Sequence, residues 1–141
     1  MKVVCDMYEA SNRRDFERAQ DYFHPDAELI VPDTLPDPGV YRGRAELFRY
    51  FANWYTTLFD SWRVEIRGTT QFGNAVVTEH HLHGIGRGSG AEVTLNSASV
   101  NTVQDGLIVR AQPQANVDDA IRVAKEEAHE ATTSEGLRPK A

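Results

Sequence analysis

Between Asn74 and Ala120 the chain alternates, turns and alternates again. Val76-Val77-Thr78-Glu79-His80-His81-Leu82-His83 reads as a strand, and Gly84-Ile85-Gly86-Arg87-Gly88-Ser89-Gly90 as the turn that follows it. A second strand, Glu92 to Gln104, turns at Asp105-Gly106 into a third that opens Leu107-Ile108-Val109-Arg110. Asp-Gly between alternating apolar residues is a strong hairpin signal. A helix through Asp118-Asp119-Ala120-Ile121 closes the stretch. Such a glycine-punctuated meander builds a curved antiparallel sheet, and sheets of that kind wrap pockets. It narrows the architecture far more than the chemistry.

The first half supplies what packs on that sheet. Val3 to Asn12 reads as a helix with Val3, Val4, Met7, Tyr8 and Ser11 inward, and Asp15 caps a second one carrying Phe16, Ala19 and Phe23. Pro25 ends it, because proline lacks the amide hydrogen of a helix interior. Ala27, Leu29 and Val31 suggest a short strand stopped by Pro32, and Asp33 to Gly39 a loop over a pocket mouth. From Arg44 to Asp60, Leu47, Phe48, Phe51, Trp54, Tyr55, Leu58 and Phe59 recur at helical spacing. Trp62, Val64 and Ile66 then alternate as a half-buried strand. Asn116 caps the last helix, whose inward face is Val117, Ala120, Ile121, Ala124 and Ala128. Helices packed on the concave face of a curved, mainly antiparallel sheet make an α+β cone or roll. The domain is expected over 1–131, with a disordered tail over 132–141.

At 141 residues the chain is long enough for one real core. No apolar run reaches membrane length, and no charged-then-apolar leader marks it for export, so a cytoplasmic setting is expected. The net charge of −6 with scattered basic residues argues against nucleic acid, whose phosphates need clustered positive charge. Lone Cys5 allows no internal disulfide and reads as a buried thiol.

Tyr8-Glu9-Ala10-Ser11-Asn12 before Asp15, His24-Pro25-Asp26-Ala27-Glu28, Tyr41-Arg42-Gly43, the Gly84-to-Gly90 hairpin, Asp105-Gly106 and Asp119-Ala120 stand in an order that resembles the SnoaL-like branch of the nuclear-transport-factor-2-like superfamily. The resemblance spans roughly residues 3 to 125. It implies a pocket for a small hydrophobic ligand and a homodimer formed through the outer sheet face. It also implies catalytic sets that this chain does not carry. The isomerase carboxylate before the first strand's proline is Val31 here. The helix-one tyrosine and penultimate-strand aspartate correspond to Met7 and Ser99. The cyclase acid of the final strand falls near Gln112 or Gln114.

Alternation puts Val76, Thr78, His80 and Leu82 on one strand face and Val77, Glu79, His81 and His83 on the other. The resemblance turns the first set toward the pocket. His80 then lies among Leu29, Val31, Phe51 and Trp54, placed for general acid–base work on a carbonyl compound. The bland alternative is a structural histidine bonded across the sheet to Ser99 or Asn101. Asn101 is the candidate for steadying negative charge on oxygen. Thr78, Ser99, Gln112 and Gln114 are candidate ligand contacts, and Tyr41 with Asp33 a rim. Glu79-x-His81-x-His83 has metal-ligand spacing, but two histidines on a solvent or subunit face are the simpler reading, so neither resident metal nor cofactor is expected. Gly84-x-Gly86-x-Gly88-x-Gly90 joins two strands rather than a strand and a helix, which excludes a phosphate cradle. Ser99 has no nucleophile elbow, which excludes a hydrolase triad. Two functions follow: a cyclase- or isomerase-type enzyme on a hydrophobic carbonyl compound, or a non-catalytic binding or interaction module.

Overall fold

The computed structural model describes residues 1–137. The chain runs α1 (Lys2–Asn12), α2 (Phe16–Asp21), β1 (Phe23–Val31), β2 (Gly39–Arg42), α3 (Arg44–Leu58), β3 (Phe59–Phe72), β4 (Ala75–Gly86), β5 (Glu92–Gln104), β6 (Leu107–Gln114) and α4 (Val117–Leu137). The strands form one six-stranded sheet in the order β2-β1-β6-β5-β4-β3. All neighbours are antiparallel except β1 and β6, which run parallel. The expected α+β class holds.

Local chemistry sets the element ends. The Asp15 carboxylate accepts the Arg18 amide at 3.2 Å and starts α2. Asn116 accepts the Asp119 amide at 2.8 Å and donates back to the Asp119 carboxylate at 3.1 Å, a reciprocal cap for α4. Asp105 and Gly106 both take positive φ, +52° and +79°, the backbone a twisted two-residue hairpin requires. At the end of α3, Phe59 turns extended and begins β3. Arg87 from the glycine-rich hairpin covers the freed carbonyls there. Its amide donates to Leu58 at 3.0 Å and its Nε to Thr56 at 2.6 Å.

Consecutive side chains of a strand point to opposite faces, and here both faces of the sheet are covered. On the inner face Val4 and Met7 of α1 and Leu47 of α3 pack with Phe23, Ala27, Leu29, Val31, Val76, Ile108 and Ala111. On the outer face Ala120 and Ala124 of α4 pack on Ala75, Val77, Ala98 and Val100. The last helix therefore does not join the others on the concave side as expected. Its alanines fit flat against small residues that alternation turns outward. Glu127 fastens it, accepting from Thr102 at 2.6 Å, Arg110 at 2.9 Å and Gln112 at 3.1 Å, while Arg110 also reaches Glu28 at 2.9 Å.

One other expectation changes. Gly39–Arg42, read as loop and flank, pairs with β1 as an edge strand. Helix α4 is described as far as Leu137. Residues 138–141 of the expected tail lie outside the described residues.

Candidate functional site

Cross-strand pairs share a face, so the register of β4 with β5 stacks three rows on the inner side. These are Val76 opposite Asn101, Thr78 opposite Ser99, and His80 opposite Ser97. The middle row is a hydroxyl hub. The Ser99 hydroxyl lies 2.7 Å from the Tyr8 phenol of α1 and 2.8 Å from the Thr78 hydroxyl, and it accepts from the Asn101 amide at 3.3 Å. Counting hydrogens orients part of this chain. A serine oxygen accepts two hydrogen bonds and donates one. Asn101 fills one acceptor position. Thr78 is fully buried, and its hydroxyl has Ser99 as its only side-chain partner among the described residues. Its hydrogen must go to Ser99 or be buried unpaired, which costs roughly 1–3 kcal/mol. In the remaining pair, Tyr8 with Ser99, either hydroxyl can be the donor.

One row on, His80 Nδ1 sits 2.8 Å from the Ser97 hydroxyl. Its Nε2 is buried with no partner, the one such side-chain atom among the described residues. The Tyr8 ring lies beside the imidazole, 5.7 Å between centroids. Tyr8 also packs against Phe59, Val64 and Leu82, in a cluster that includes Trp54, Tyr55 and Trp62. Loss of hydration on burial, with a smaller contribution from His81, pushes the His80 imidazole down to about 4. Burial first and then the nearby Tyr8 push the Tyr55 phenol up. At neutral pH this end of the inner face therefore carries a neutral imidazole with one unpaired ring nitrogen, beside the Tyr8 ring.

A sequence model described as a SnoaL-like domain matches residues 4–111. The chain belongs to the SnoaL-like family. No curated protein matches it. Among solved structures, TerC co-crystallised with polyporic acid is 23% identical at a TM-score of 0.71, over 89% of this chain and 96% of that one. A nuclear-transport-factor-2-like protein of unknown function from Burkholderia pseudomallei is 21% identical at 0.71, over 88% and 95%. A protein with a ketosteroid isomerase-like fold from Catenulispora acidiphila, bound to trimethylamine, is 14% identical at 0.67, over 86% and 91%. At these identities the likeness establishes the fold.

Within this SnoaL-like frame the remaining candidate residues separate. Thr78, Ser99 and Asn101 are together on the inner face. Leu29 and Val31 are buried in the neighbouring apolar core, against which Phe51 packs. Tyr41 and Trp54 line a surface groove of about 420 Å³ on the outer stripe of α3, and His80 does not line it. Gln112 and Gln114 are corrected: they pair with Val100 and Ala98, so both face α4, and Gln112 is bonded to Glu127. The helix-one residue that reaches Ser99 is Tyr8, whereas Met7 is in the core. The partner of His80 is Ser97 rather than Ser99 or Asn101. Tyr8 and Ser97 face inward in the sequence pattern, but only the strand register pairs 80 with 97. On the outer face His83 Nε2 lies 2.9 Å from Glu65, whose carboxyl that bond holds below its ordinary range. Among the described residues no three histidine, cysteine, aspartate or glutamate side chains are grouped to hold a metal.

Proposed function

We propose that the inner face of this SnoaL-like domain binds a small hydrophobic carbonyl compound. In this reading the Tyr8 hydroxyl turns from Ser99 to donate to the ligand oxygen, and His80 Nε2 moves a proton in cyclase- or isomerase-type chemistry. The observation that carries the reading is the buried, unpartnered Nε2 beside Tyr8. With Nδ1–H donating to Ser97, the Nε2 lone pair takes a proton from the carbon next to the carbonyl. The C–H pair moves to form the enolate, and Tyr8 donates to its oxygen. Returning the proton to the same or a conjugated carbon completes an isomerisation. Attack of that carbon on a second carbonyl of the substrate completes a cyclisation, with His80 giving the proton to the new alkoxide. Asn101 acts one step removed, by holding Ser99. No cofactor is needed for these steps.

A second reading keeps the ligand and drops the turnover. An imidazole at about 4 is a weak base at neutral pH, and no carboxylate stands at Val31 to replace it. The site then holds a metabolite by the same two groups. In both readings a second copy would cover the outer face of β3–β5 beyond α4, where Glu65, His81 and His83 are half-exposed.

A thermal-shift screen of uncharged ketones, quinones and epoxides on wild type, His80→Ala and Tyr8→Phe tests the proposal. A ligand at a hundred times its dissociation constant stabilises by about 2.7 kcal/mol. Stabilisation that weakens in both variants supports the site. Turnover of that ligand class by wild type, lost in His80→Ala at ligand concentrations that still saturate the weakened variant, selects the enzyme. A ligand indifferent to both substitutions refutes the assignment. Sedimentation at micromolar concentration reads the dimer directly.

A further inference from the structure

An amphipathic helix ordinarily turns its polar stripe to water. Helix α3 buries Leu47 and packs Phe48 and Phe51 inward. On the other side, Glu46, Arg49, Tyr50, Asn53, Trp54 and Thr57 line the groove of about 420 Å³, whose opposite wall is Pro36, Asp37 and Tyr41. That volume is within the range of small-molecule sites.

The aromatic rings are held in place. Tyr41 donates to the Asp37 carbonyl at 2.7 Å and Tyr50 to the Pro36 carbonyl at 2.9 Å, and their centroids are 5.0 Å apart. Both phenols spend their hydrogens on the loop and both rings also pack against the apolar core, so a ligand meets their remaining ring surface and phenol oxygens that can only accept. The Asn53 carboxamide makes no hydrogen bond within the described residues and offers one polar handle. Arg49 is paired with Glu46 at 2.7 Å, and Asp37 adds a further negative charge, so the lining is net negative. Trp54 belongs to two places at once. It lines the groove, and it packs edge-on to Tyr55 at 5.0 Å and Phe59 at 6.0 Å in the cluster shared with Tyr8.

We propose that this groove is a binding subsite for a flat, uncharged aromatic ring system, with Trp54 the partition between it and the His80–Tyr8 end of the inner face. The inference rests on the ligand reading above and deepens it: the ring body lies on Tyr41, Tyr50 and Trp54, and the carbonyl end passes inward where the indole turns aside. A carboxylate of the same shape is disfavoured by the net negative lining.

Calorimetric titration with 2-acetylnaphthalene and with 2-naphthoate tests it on wild type, Tyr50→Phe, Tyr50→Ala, Asn53→Trp and His80→Ala. The ketone is expected to bind and the carboxylate to bind more weakly. Tyr50→Phe should keep the affinity, since the ring remains. Tyr50→Ala should weaken it tenfold or more. Asn53→Trp, at an exposed helix position, should block the groove in a folded protein even where Tyr50→Ala loosens the loop. Undiminished ketone binding in both Tyr50→Ala and Asn53→Trp overturns the subsite. If His80→Ala still abolishes that binding, the inner-face reading survives alone. Loss in the groove variants with no effect of His80→Ala keeps the subsite and removes its link to His80. Equal binding of ketone and carboxylate, or no binding of the ketone to wild type, also overturns the proposal.

Discussion

His80 makes a test in which the sign is as informative as the size. Its imidazole is held neutral in the fold at about 4, against about 6.5 in an unfolded chain. The unfolded chain therefore binds the proton first. Stability from this site is fully present above about 6.5 and is lost as pH falls from there through about 4. Between pH 7 and pH 5 the loss works out at about 2 kcal/mol, approaching about 3 kcal/mol once pH is below both values. Other groups titrate over the same interval, so the measurement is a difference. Urea unfolding of wild type and His80→Leu at pH 7 and pH 5 should show wild type losing about 2 kcal/mol more than the variant. Leucine keeps the apolar surroundings filled and does not titrate. The imidazole proton chemical shift of His80, followed by NMR, should move only below pH 5. Equal losses in the two proteins, or an NMR midpoint near 6.5, would refute the claim that Nε2 is buried and unpaired.

The hydroxyl hub predicts non-additivity. Ser99→Ala takes away the acceptor of buried Thr78 and should cost roughly 1–3 kcal/mol, while Thr78→Val/Ser99→Ala should cost less than the two singles summed in a double-mutant cycle. Gly84→Ala would put a methyl 2.6 Å from Cδ1 of Phe59, a residue only 4% exposed, so its melting temperature should fall by an amount matching roughly 1–3 kcal/mol. Glu127→Ala removes the acceptor of Thr102, Arg110 and Gln112; amide exchange along α4 should accelerate more than along β4, and equal protection would mean that helix packing alone holds it. Arg87→Ala should fray the last turn of α3, read as faster exchange at Thr56 to Leu58 with the sheet unchanged.

Period-two alternation sorted the histidines correctly, because β4 and β5 pair without a break from 75 with 102 to 85 with 92. For Gln112 and Gln114 alternation left open which one turns inward around Pro113, and neither does. In the next pairing the register slips between Thr102 and Val103, and Ile108 and Ala111, three apart, both reach the inner core. A bulge of that kind depends on how two strands meet and leaves no mark in either strand's own pattern. Strand β2 was missed for a related reason: four mostly exposed residues at a sheet edge carry no alternation to read. On α1, Met7 and Tyr8 both sit on the inward stripe, and helical spacing alone does not choose between neighbours. The choice is made by Ser99, 91 positions away. What the sequence showed was which residue types face inward; which of them touch was decided between elements.

The parallel seam between β1 and β6 joins Glu28 to Arg110 across 82 positions, while every other neighbouring pair in the sheet is consecutive in the chain. Closing that distance costs entropy that no local contact offsets, so the β3–β6 meander can assemble by itself while the β2–β1 edge waits. During synthesis from the amino end, Phe23, Ala27, Leu29 and Val31 are made early, and β1 has only the short β2 beside it until residue 107 and beyond have emerged. The growing chain carries an apolar strand with an open edge for most of its manufacture, which makes it dependent on whatever shields such edges in the cell. A product truncated before β6 would behave as an aggregating fragment rather than as a smaller version of the protein.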